Sequence, residues 1–102
     1  MTRTALAAAA LTLSLSVSPL AAAAEFGVLF EADGVETTYN NCAACHSERL
    51  VAQQGMTRAR WDKMLDWMIE EQGMWELEPD DRTVILDYLA EHYNTDRPNF
   101  PR

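Results

Sequence analysis

The 102-residue chain carries sixteen Asp and Glu against eight Lys and Arg, a formal net charge of −8 at pH 7. Its length allows one small domain with a small apolar core. The acidic balance excludes nucleic acid as a partner, because phosphate binding needs clustered cations.

The first residues read as a secretory signal: a basic start with Arg3, an Ala/Leu-rich run from Ala5 to Val17, then Pro19 and Ala22-Ala23-Ala24. Cleavage after Ala24 is expected to leave Glu25 as the mature N-terminus. An uncleaved anchor is the competing reading, disfavoured because the run is short and interrupted by Ser14, Ser16 and Ser18. Residues 25–102 then form a single domain of 78 residues, with sixteen acidic and seven basic side chains and a formal charge of −9. Such a surface suits solubility and also steering toward basic patches on another protein.

Along this domain, Glu25 to Ala32 shows no helical period and reads as an extended arm whose Phe26, Leu29 and Phe30 pack on something. Asp33-Gly34-Val35-Glu36 matches a capping box, so a first helix is predicted from Gly34 to His46. Val35 and Tyr39 fall four apart, with Cys42 following on nearly the same side. Tyr39 reads as core, with a hydrogen bond to a bound carboxylate as the sharper alternative.

Cys42-Ala43-Ala44-Cys45-His46 is a C-x-x-C-H run, the attachment signature of a c-type haem. Two intervening residues put both sulfurs on one side of a flat macrocycle, and the following imidazole projects toward its centre. The two cysteines are the only ones in the chain. A thioredoxin-type site would need a βαβ context and a zinc site two further ligands, and neither pattern occurs. In bacteria this haem is joined to the polypeptide beyond the inner membrane, so motif and leader agree on a periplasmic location. A covalently held haem would also supply the core that so short a chain lacks.

Ser47 to Met56 has no sustained period and is predicted to loop under one edge of the haem. Arg49 reads as solvated, with a haem propionate as its alternative partner. Thr57 is the predicted N-cap of a helix from Arg58 to Gln72, stopped by Gly73. On it Trp61, Met64, Leu65 and Met68 recur at helical spacing, flanked by Ile69, and this face is expected to cover the haem. Trp67 points away from that stripe, and Trp75 lies in the next turn. The pair suits packing against the N-terminal arm or, alternatively, a docking surface. A last helix starts at Pro79, with Asp80 and Asp81 favourable to its dipole and Val84, Ile85, Tyr88 and Leu89 as its buried face. Asn94 to Arg102 is predicted to be an extended tail.

The ligand opposite His46 decides the chemistry: a methionine thioether favours ferrous iron, a second histidine lowers the potential, and an empty position admits small molecules. Met56, Met64, Met68 and Met74 are the methionine candidates, each equally readable as a core filler. His92, near the end of the last helix, is the imidazole candidate and reads more simply as a helix-end histidine.

Taken together, the helix ending in Cys42-Ala43-Ala44-Cys45-His46, the Trp61 and Met68 pair, Gly73 and the final Ile85-Leu86-Asp87-Tyr88-Leu89-Ala90 run resemble a small class I cytochrome c. The pattern is similar to the haem c subunit of periplasmic sulfite dehydrogenases, which work with a molybdopterin enzyme. The resemblance implies an all-α domain of about three main helices around one covalently bound haem. It also implies Cys42, Cys45 and His46 as haem-binding residues and Met68 as sixth ligand, with Met74 as alternative because Gly73-Met74 resembles the methionine loop of longer relatives.

The expected function is one-electron transfer from a periplasmic redox enzyme, a molybdenum sulfite dehydrogenase type, toward the respiratory chain, with no catalysis by the polypeptide itself. A haem enzyme or gas-binding sensor with an open or displaceable sixth position is the alternative. It would want a distal base and an arginine by the open face, and His92 alone could supply the imidazole. A structural haem domain without a redox partner is a third reading.

Overall fold

In the computed structural model, residues 2, 4–5, 7–16 and 24–101 are described. Arg3, Val17, Pro19, Ala22 and Ala23 of the expected leader lie outside them. Residues 7–16 carry no regular element and expose Leu11, Leu13 and Leu15. No helix among the described residues is long and apolar enough to cross a membrane.

The domain is all-helical: α1 (Val35–Cys42), α2 (Glu48–Ala52), α3 (Arg58–Glu71) and α4 (Pro79–His92), with no strand among the described residues. The helix α4 packs against both α1 and α3, and α1 also meets α2. The core collects at this junction from Val35, Val51, Trp61, Leu65, Ile85, Leu86, Tyr88, Leu89 and Tyr93. Arg82 clamps α3 to α4: its guanidinium donates to the Asp62 carboxylate at 2.7 Å, the Asp62 carbonyl at 3.0 Å and the Asp66 carboxylate at 2.8 Å. The carboxylates, Asp62 first, raise its pKa and hold it charged.

Helix α3 begins and ends close to expectation. The Thr57 hydroxyl accepts from the Arg60 amide at 3.2 Å, and Gly73 takes up φ +74° just past the helix. Pro79 opens α4 as predicted, and Ile85, Tyr88 and Leu89 are buried, whereas Val84 is 37% exposed and Leu86 takes its place in the core.

Helix α1 departs from expectation at both ends. The capping box does not form: Gly34, at φ +89°, is the N-cap, and no side chain caps the helix. The close approach of α4 explains this, since a Cβ at Gly34 would lie 3.1 Å from the Tyr88 Cβ and 3.2 Å from the Val84 Cγ1. Gly34→Ala is expected to cost roughly 1–3 kcal/mol through the left-handed backbone alone, a loss read directly in a urea melt. At its other end α1 stops at Cys42 instead of continuing to His46, and the motif completes in a turn.

The predicted loop after His46 contains the short helix α2. Ser47 caps it, its hydroxyl accepting from the Arg49 amide at 3.2 Å. Both chain segments expected to be extended are instead turns fixed by tertiary hydrogen bonds. In the arm, the Phe30 amide donates to the Tyr93 hydroxyl at 3.0 Å, and the Tyr88 hydroxyl donates to the Phe30 carbonyl at 2.7 Å. Burial pushes the Tyr88 phenol well above its ordinary pKa, so it remains a donor. Phe26 stacks edge-on against Tyr39, 5.8 Å between centroids, which gives Tyr39 its core role. In the tail, Asn94 binds back to the α4 carbonyls of Ala90 and Glu91, and the Arg97 guanidinium donates to the Gln53 carbonyl at 2.9 Å.

Candidate haem cavity

Elements far apart in sequence line a partly open cavity of about 430 Å³, within the usual range for small-molecule sites. The end of α1 and the turn after it contribute Cys42, Cys45 and His46. Leu50, Val51 and Met56 come from α2 and the segment beyond it; Trp61, Met64, Leu65, Trp67 and Met68 from α3; Met74 from the following loop; Leu89 from α4. Asn41, Gln54 and Gln72 are its polar residues besides the motif, and no Asp, Glu, Lys or Arg lines it.

The motif side chains differ in setting. Cys42 is buried, and desolvation pushes its thiol up to about 11, whereas Cys45 is exposed. A thiol raised in this way is not the activated nucleophile of a disulfide oxidoreductase, whose pKa must fall. His46 is exposed, with Nδ1 3.4 Å from the Ser47 carbonyl. That contact suits the Nδ1–H tautomer and leaves Nε2 as a free donor for a metal. No cluster of three or more His, Cys, Asp and Glu that could hold a metal ion occurs among the described residues. A closed zinc site, which needs four convergent ligands, therefore finds no support.

The residues fit a flat apolar group held at one edge by two thioethers and at its centre by an imidazole.

Met68 and Met74 both face this cavity, and their backbones are joined, the Met74 amide donating to the Met68 carbonyl at 3.0 Å. Met56 and Met64 line it as well. His92 does not: it sits with its ring 5.0 Å from Phe30 and 5.1 Å from Tyr88, on the arm side of α4. Arg49 is exposed and does not line the cavity either.

Trp67 is a correction. Expected to point away from the apolar stripe, it forms the cavity rim, half exposed. It lies roughly 60° around the helix from Met64, and a wide cavity draws on a broader arc of α3 than a helix–helix seam does. Trp75 also turns from the arm: its indole donates to the Asn41 Oδ1 at 3.0 Å and ties the Met74 loop to α1 beside Cys42. Nothing in the sequence pairs two polar groups 34 residues apart, so this tether was not foreseeable. Comparison with protein-family models, curated proteins and solved structures finds no match.

Proposed function

We propose that the chain is a periplasmic monohaem c-type cytochrome that carries single electrons. One observation carries this reading: both thiols and the imidazole of the C-x-x-C-H run line one apolar cavity together with Met68 and Met74. Cys42 and Cys45 would hold the haem covalently through their sulfurs. His46 would hold the iron through Nε2, and Met68 would supply the second protein donor, with Met74 as alternative. When bound, the haem supplies a one-electron ferric/ferrous couple.

The chain's own residues make the inner part of that site apolar. Val51, Leu65 and Leu89 are buried there, and no Asp, Glu, Lys or Arg lines the cavity to act on a substrate. This absence of a distal base supports a carrier over a peroxidase. The acidic surface suits docking to basic patches of redox partners. The resemblance to sulfite dehydrogenase cytochromes favours a molybdenum enzyme as donor and the respiratory chain as destination.

The reading is tested on full-length protein exported from a bacterium that matures c-type cytochromes. Intact mass and a pyridine haemochrome spectrum should show one haem retained after denaturation and acid extraction. A chain lacking covalent haem under those conditions contradicts the proposal.

A further inference from the structure

Beside the main cavity runs a second groove of about 300 Å³ lined by Met56, Arg60, Lys63, Met64 and Trp67. Three of these residues, Met56, Met64 and Trp67, belong to both spaces, so the groove adjoins the cavity. Arg60 and Lys63 lie three apart on one side of α3.

The other cations of the described domain are engaged elsewhere or stand apart. Arg58 pairs with Asp87, and Arg82 with Asp62 and Asp66. Arg97 donates to the Gln53 carbonyl and lies over the Phe100 ring. Arg49 lines neither space. Arg60 and Lys63 form no ion pair among the described residues. In a chain with a twofold excess of acids over bases, two unpaired cations at one groove are a local inversion of charge.

We propose that Arg60 and Lys63 hold the two carboxylates of the cofactor. The inference rests on haem attachment as proposed above. A haem carries two propionates that need either water or a cation, because an unpaired buried carboxylate is costly, and the mostly apolar lining of the cavity supplies no cation. Within the cavity, Asn41 is occupied by Thr37 and Trp75, Gln54 donates its amide to the Leu50 carbonyl, and Gln72, exposed at the end of α3, offers only an uncharged amide. The adjoining groove offers a guanidinium, which matches a carboxylate in two parallel hydrogen bonds, and an ammonium as a mobile point charge. Two further negative charges on an already acidic domain are compensated there, and Met56, Met64 and Trp67 line both spaces. This site stands in place of Arg49 and Tyr39, for which the sequence offers a propionate contact only as the alternative to a solvated and a core role.

The test is the reduction potential of full-length, haem-loaded protein, measured by equilibration with a reference dye. Removing cations next to the propionates weakens the less positive, reduced state. Arg60→Gln/Lys63→Gln should shift the equilibrium about tenfold toward the ferric form, or about 59 mV. Arg60→Lys should retain most of the wild-type potential, and Arg49→Gln, which removes one positive charge from a residue that lines neither space, should leave it unchanged. An unmoved potential in the double variant, or an equal shift in Arg49→Gln, overturns the assignment and leaves the groove to a docking partner. A haemochrome assay on the same samples separates the two levels: loss of covalent haem in the wild type sinks the functional reading, whereas covalent haem with an unmoved potential sinks the carboxylate site alone.

Discussion

Replacing both Cys42 and Cys45 by alanine should remove the chromophore and, with it, the cooperative fold. The core residues Val51, Trp61, Leu65 and Leu89 also line the cavity of about 430 Å³, so an apolar group packed on them adds to the buried core of a domain whose total stability is ordinarily about 5–15 kcal/mol. Small domains have little surplus to absorb its loss. The Arg82 clamp is partly solvent-exposed, so the worth of its ion pairs is reduced by screening, and it does not compensate. A urea titration followed by far-UV circular dichroism should show a sigmoidal transition for the wild type and a featureless slope for the double variant. A transition within about 2 kcal/mol of wild type would mean that the walls collapse onto each other and need no filler.

Met68→Ala should have the next largest effect, and on chemistry more than on folding. A thioether is a soft donor that stabilises ferrous iron. Its loss is expected to lower the potential by roughly 180 mV, three decades at about 59 mV each, and to open the sixth position to carbon monoxide. Met74→Ala serves as the comparison because the two residues share the cavity and a backbone hydrogen bond. If Met74→Ala drops the potential while Met68→Ala does not, the ligand is Met74, and Met68 is a packing residue of α3.

Much of this site is legible in the sequence because its strongest signals are local. The C-x-x-C-H run needs five consecutive residues, Thr57 caps the helix it adjoins, Gly73 provides a left-handed stop, and the Trp61, Leu65 and Met68 spacing depends only on helical geometry. What the sequence hides is set by distant partners. Gly34 displaces Asp33 from capping because Tyr88 and Val84 approach from α4. The tail turns back because Gln53 offers a carbonyl to Arg97 across 44 positions. Trp67 is counted out of the apolar stripe by a rule for helix–helix seams, whereas the cavity here is broader than a seam. Four methionines on one cavity wall remain equivalent to pattern reading, since each is apolar, flexible and suitably placed.

The most direct test of a closed electron carrier is the carbon monoxide difference spectrum of the native ferrous protein. If His46 and a methionine both hold the iron, as proposed, the chain should be spectroscopically inert to the gas at neutral pH. Ready formation of a carbon monoxide complex by the wild type would contradict the account and bring forward a gas-binding or catalytic haem.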